Sequence, residues 1–426
     1  MAIESDVLVI GGGLAGTMAA LSAAHEGANV RLTSYKQSTL RMATGLVDVL
    51  GYVDGEGPVA DPFDAMDRLH AGHPYRVLGE ATVRDGLALF DDSVPGYRSG
   101  HTDATALVPT HGGTVKPTAR YPASVAPGVA SAGGDLLLVG FETVTDFDAP
   151  LAASHLEAAG VPFGVDGVTM SFPGDLRDDA KVTRYAQALD EDERVTGGGR
   201  RIGTRQDLAE RVKAKLEGHE RIGFPALLGE ENHDDVRADL ARYLDVPVFE
   251  IPMGPPSLPG MRLEDRLFAA LDASGASIDS GNPVVDYEAD GDGRVDSVIL
   301  DRNGSRVPYY ADQFVLATGG LVGKGIESNR GGVREPIFDC HVPHPADRYD
   351  WFEDGVFDDH EFARFGVDVG RELRPREASG DPAFDNLRAA GSVVGGYDLA
   401  AEKSGAGVSI ATGYEAGRRA AAEVHQ

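Results

Sequence analysis

The six residues Gly11-Gly12-Gly13-Leu14-Ala15-Gly16, placed directly behind the apolar run 6–10, constrain this chain of 426 residues more than any other stretch. Residues 6–10 (DVLVI) read as a buried strand. A helical pattern follows through Met18, Leu21 and Ala24 to Gly27, and residues 29–33 read as a second strand. Strand, glycine turn, helix and strand within about 30 residues form one βαβ unit of the dinucleotide-binding type. The chemistry of the spacing is direct. Gly11 permits the tight turn, Gly13 lets backbone approach a pyrophosphate, and Gly16 lets helix and strand pack closely, while the amides of Leu14 and Ala15 open a helix whose positive end attracts phosphate. One part is missing. The second strand ends Thr33-Ser34-Tyr35-Lys36, with no carboxylate for an adenosine ribose. Either Ser34 replaces it weakly, or the nucleotide lacks that ribose, as FMN does.

The unit recurs near the other end. A helix over 263–273, a strand at 277–279 and three short strands at 284–287, 295–300 and 307–310 precede the run 313–320, which ends Ala317-Thr318-Gly319-Gly320. Turns are expected at Gly291-Asp292-Gly293 and at Asn303-Gly304, a favoured hairpin dipeptide. The strand ending at Thr318 and Gly319 resembles the segment that closes on the nucleotide in flavoproteins. Residues 386–392 (NLRAAGS) resemble their last motif, which brings Gly391 and Ser392 beside a ribityl chain. A helix opening near Gly407 and Val408 is expected to offer amides to the pyrimidine end of a reduced flavin.

The intervening region has no detectable repeat. It carries helical patterns at 151–159, 206–216 and 234–244, strand patterns at 135–141, 221–227 and 246–251, and loop-like stretches at 106–127 and 195–203. The expected architecture is therefore α/β: a Rossmann-like flavin-binding domain with a β-meander, made of 1–55, 256–338 and 382–426. A second, substrate, cap or partner-contact region of 56–255 and 339–381 interrupts it.

Composition narrows the partners. With 39 basic and 68 acidic residues the net charge is −29, a field that repels phosphate backbones, so no nucleic-acid partner is expected. Scarce lysine beside abundant carboxylate suits a halophilic cytoplasm, where salt screens self-repulsion. No run of about 18 apolar residues occurs, nor a signal-peptide pattern, so a cytoplasmic chain is expected, with peripheral attachment to a membrane complex left open. Cys340 is the single cysteine, so no disulfide framework or iron–sulfur cluster can form within the chain and no metal site is expected.

Beyond the glycine loops, the chain resembles the B subunits of anaerobic glycerol-3-phosphate dehydrogenases along nearly its whole length. The resemblance rests on residues 44–50 (TGLVDVL), 223–229 (GFPALLG), 231–233 (ENH), 247–252 (PVFEIP), 255–263 (PPSLPGMRL), 334–338 (REPIF) and 394–398 (VGGYD). It implies oxidation of sn-glycerol 3-phosphate to dihydroxyacetone phosphate, with FMN (or FAD) as cofactor. Electrons would pass to the quinone pool through a catalytic A-type partner and an iron–sulfur, membrane-anchoring C-type partner of the same dehydrogenase. Arg262, Arg330 and Arg334 are the candidates to grip the substrate phosphate, because a guanidinium gives bidentate bonds; each could instead pair with a carboxylate, Glu335 being the neighbour of Arg334. His341, His344 and Lys116 are the candidate proton acceptors for the hydroxyl. Two rival readings stay open: a flavin relay or assembly protein that turns over no substrate, and a stand-alone flavin oxidoreductase of the fumarate-reductase-like group.

Overall fold

The computed structural model describes residues 3–36, 38–174, 176–177, 180–291, 293–356 and 358–424; Asp292 of the expected turn lies outside them. The chain divides into two compact units, one of 1–39, 48–95 and 265–426, the other of 40–47 and 96–264.

The first unit is built on a sheet in the order Ser277–Ser280, Val30–Ser34, Ile3–Ile10, Ser305–Leu316, Val295–Arg302, Val284–Ala289. The first four strands are parallel and the last two form an antiparallel meander on Ser305–Leu316. Val7, Leu8 and Val9 have no exposed surface, which is why this strand reads as an unbroken apolar run. The strand Ser305–Leu316 changes partner along its length. Its first half pairs with the meander, and Phe314–Leu316 pair in parallel with Leu387–Ala389. Asn386 sits at that fork: its side-chain amide donates to the carbonyls of Val295 and Asp312 and accepts from the Val295 amide.

The C-terminal helix Gly405–Val424 lies against the first helix, Leu14–His25. Its Gly413 and Gly417 press on the carbonyls of Ala15 and Ala19, so the two backbones meet with no side chain between them. Two stretches expected in the second region belong here instead. The helix Glu80–Ser93 buries Val83, Leu87 and Phe90 and packs on the C-terminal helix, with Gly86 facing Ile410. Residues 339–381 are tied in by the bridge between Val367 and Val394. Both joins are contacts between segments far apart in the chain, which no local pattern announces.

The second unit holds another parallel sheet, ordered Val248–Ile251, Arg221–Pro225, Leu136–Phe141, Val165–Met170. Leu137, Val139 and Phe141 enter one apolar cluster and Leu136 and Leu138 the other, as the two-residue period of a strand requires. The expected strands and helices of this region are present. The strand Val165–Met170 is additional; its Asp166 and Gly167 conceal it in the sequence, and its edge position leaves it half-exposed. The stretch 195–203 is a hairpin, Arg194–Gly197 with Arg200–Gly203, rather than a loop. The stretch 106–127 likewise contains the paired strands Ala106–Pro109 and Val115–Thr118.

Candidate functional site

Four parallel strands of the first unit run out side by side: Val30–Ser34, Ile3–Ile10, Ser305–Leu316 and Leu387–Ala389. The Ala317 amide donates to the Ile10 carbonyl at 2.8 Å, the Gly11 amide to Thr33 at 2.8 Å, and the Ala390 amide to Leu316 at 2.9 Å. Each strand then enters a loop, so the loops share one carboxyl edge, the place where open α/β sheets bind ligands. Gly11 has a φ of +121°, and a side chain there would strike the Ala317 carbonyl; one at Gly16 would strike the Gly11 carbonyl. Gly13 differs: a methyl group there would meet nothing within 4 Å. Beside it, among the described residues, the first helix starts with no side-chain cap and no acid in its first turn to offset that positive end.

The remaining loops are locked to this one. Gly391, at φ +75°, sits where a Cβ would lie 2.6 Å from that of Ala15, and its amide donates to Thr412 Oγ1 at 2.8 Å. Ser392 Oγ accepts the Gly320 amide at 3.0 Å, joining the Gly319–Gly320 turn to the 391–392 turn and leaving its own proton to be donated. The Thr318 hydroxyl is buried and has no hydrogen-bond partner among the described residues. Ser34 flanks the glycine loop, its Oγ 2.9 Å from a Cβ built on Gly12, and donates to the Lys36 carbonyl. The open space at Gly13, the uncapped helix start and the orphaned Thr318 hydroxyl together fit a phosphate-bearing flavin nucleotide.

The start of the C-terminal helix departs from expectation. The Val408 amide donates to the Ser404 carbonyl and the Ala406 amide to Asp48 Oδ1 at 2.9 Å, and Gly407 is closed in by the Tyr75 hydroxyl. The amides of Ala406 and Val408 are thus taken by the protein rather than offered to a ligand. Behind them stands a buried polar cluster that the sequence reading missed. His73 Nε2 bonds Glu402 at 3.1 Å, and its Nδ1 accepts the Tyr75 amide, which puts the ring proton on Nε2. The Tyr75 hydroxyl donates to Val49, and Ser404 Oγ to Glu402. Tyr397 is buried, its hydroxyl without a partner among the described residues. Burial first, then the nearby Asp48 and Glu402, pushes both phenols well above their ordinary range. Asp48 and Tyr397 lie in the 44–50 and 394–398 motifs, and that was the available signal.

The candidate substrate groups separate. Arg262 is 6% exposed and bonded to Glu250, which is fully buried, and to the Gly229 carbonyl. It therefore holds the middle unit together and is not free for a phosphate. Arg334 pairs with Glu327 rather than Glu335, whose carboxylate accepts the amides of Ile337 and Phe338. Arg330 is exposed between the strands Glu327–Asn329 and Gly332–Arg334 and makes no ion pair among the described residues. His344 is also committed: its Nε2 accepts the Val333 amide and its Nδ1 donates to Val342, with Trp351 and Phe365 against the ring. It is a backbone bridge and no proton acceptor. His341 is half-buried, and Lys116 lies in the strand Val115–Thr118 of the second unit. The 231–233 motif is structural too, since Asp190 receives the amides of Glu230, Glu231 and Asn232 at 2.8–3.1 Å.

Residues 6–408 match the family described as FAD binding domain. The chain is 60% identical over its full length to the B subunit of the probable anaerobic glycerol-3-phosphate dehydrogenase of Halobacterium salinarum, covering all of both chains. It is 30% identical to the B subunit of the anaerobic glycerol-3-phosphate dehydrogenase of Yersinia pseudotuberculosis, covering 96% of each. Among solved structures, 3-ketosteroid Δ1-dehydrogenase from Sterolibacterium denitrificans aligns with 99% of this chain and 100% of its own at 12% identity and a TM-score of 0.46, too slight a likeness to argue from.

Proposed function

The chain belongs to the FAD binding domain family and, within it, to the B subunits of anaerobic glycerol-3-phosphate dehydrogenases, and on that premise we propose that it serves the oxidation of sn-glycerol 3-phosphate to dihydroxyacetone phosphate with a bound flavin. The observation that carries the cofactor reading is the open approach at Gly13 over an uncapped helix start, on the edge where four strands end together. FMN is preferred to FAD because the second strand ends in Ser34 rather than an acid, with the Ser34 proton already given to Lys36.

A bound flavin supplies the acceptor for the two electrons released as the secondary alcohol becomes a ketone. The chain's own residues do the rest. The Leu14 and Ala15 amides would hold the nucleotide phosphate, and the Thr318 hydroxyl and the Ser392 proton would bond its polar chain. Arg330 is the remaining candidate for the substrate phosphate, and His341 or Lys116 for the hydroxyl proton. The electrons must leave through other chains, because one cysteine cannot build a cluster. The partners proposed are the catalytic A-type chain of the same dehydrogenase and the iron–sulfur C-type chain that anchors the complex. Among the described residues no helix is long and apolar enough to cross a membrane, so contact with the membrane is assigned to those partners.

That His344 is committed to backbone leaves fewer bases and favours a second reading, in which this chain only relays electrons. One preparation tests both. The chromophore released by acid is expected to have the mass of FMN, and a chain that takes up no flavin overturns the proposal. Turnover of glycerol 3-phosphate with an artificial acceptor by the isolated chain supports direct oxidation; turnover only after the catalytic A-type partner is added supports the relay.

A further inference from the structure

From the glycine loop the rim runs two ways. One flank is Ser34, at the end of the second strand, where the adenosine side of a dinucleotide lies in this kind of fold. The other passes Gly391, where a built Cβ lies 3.6 Å from Ser409 Oγ, and reaches the first turn of the C-terminal helix. A flavin whose phosphate sat at Gly13 and whose ring lay on this second flank would have that helix start beside the ring. Two-electron reduction places negative charge on the ring, and the bare end of a 20-residue helix would stabilise it. This helix end is not bare. Asp48, 6% exposed, holds the Ala406 amide at 2.9 Å, and Glu402 lies behind it, bonded to Ser404 and His73. Gly407 gives the room for this arrangement, since the Tyr75 hydroxyl and the Asp48 carbonyl occupy the place of its missing side chain.

We propose that Asp48 is a positioning residue that sets the reduction potential of the flavin, its carboxylate offsetting the positive end of the C-terminal helix. This rests on the flavin reading above. It gives the 44–50 and 394–398 motifs a common purpose: the first brings Asp48, and the second brings Tyr397, whose ring meets His73 edge-on at 5.8 Å. The carboxylate weakens binding of the reduced flavin relative to the oxidised one, and so favours passing the two electrons onward.

The test is redox titration of the full-length, flavin-loaded chain. Asp48→Asn keeps an oxygen for the Ala406 amide and removes the charge. Affinity for reduced over oxidised flavin should rise about tenfold, which is about 30 mV for a two-electron couple. Asp48→Glu, which restores the charge, should return the potential toward that of the unaltered chain, and Glu402→Gln should move it the same way as Asp48→Asn by less. If Asp48→Asn does not fold, Glu402→Gln carries the comparison. An unmoved potential in variants that fold and hold flavin overturns the proposal. An unaltered chain that takes up no flavin removes the functional reading, and this inference with it.

Discussion

A methyl group added at Gly11 and one added at Gly13 should have opposite consequences, although the two positions are adjacent terms of one motif. Gly11→Ala places a side chain at φ +121° against the Ala317 carbonyl, and should cost about 2 kcal/mol or more of stability. Gly13→Ala enters open space from an extended backbone at φ −79°, so the flavin-free protein should melt unchanged while flavin affinity falls at least about tenfold. Thermal melts of the flavin-free chains beside flavin titrations separate the two. Equal melts for both variants would contradict the assignment of Gly11 to the fold and Gly13 to the ligand. The same distinction applies among the histidines. His344 spends both ring nitrogens on backbone and His73 spends both within a buried cluster, whereas His341 stands half-buried just past the 334–338 motif.

At the scale of elements, most of the family-specific motifs are joints. The strand Val248–Ile251 supplies Glu250, the helix Leu258–Ala273 supplies Arg262, and the turn at Leu228 and Gly229 closes on both: the Leu228 amide donates to Glu250 and the Gly229 carbonyl accepts from Arg262. Burial alone would raise the Glu250 carboxyl, but the Arg262 guanidinium, Ser124 and the Leu228 amide outweigh it and hold the group below its ordinary range. A depressed carboxyl contributes stability above the unfolded-state value near 4.5 and loses it as pH falls through the folded value. Arg262→Ala should therefore cost about 3–5 kcal/mol at neutral pH by leaving a buried charge alone. Acidification should narrow the gap, because the unpaired carboxyl then takes up its proton. Urea unfolding at pH 7 and pH 4 measures this, and a gap that widens with acid would refute the account.

Across the whole molecule the dominant quantity is the net charge of −29. Self-repulsion of that size is relieved as the screening length shrinks from about 10 Å at 0.1 M salt to about 3 Å at 1 M. The unfolding midpoint should rise steeply with KCl into the molar range, and a flat response would mean that the acidic surface is no adaptation to salt. Charge and the central strands were legible from the residues because they depend on composition or on short-range pattern. An unbroken run such as 6–10 buries both faces wherever it is placed. The glycine loop was legible for a related reason: its spacing answers a local demand of backbone geometry. Tertiary structure alone decided the rest. It assigned 56–95 and 339–381 to the first unit, gave the middle region a parallel sheet of its own, turned Arg262 inward, and brought Asp48 to a helix start 358 positions away. A lone polar side chain carries no mark of its partner, because an arginine that grips a ligand and one that neutralises a buried glutamate look the same until the chain has folded.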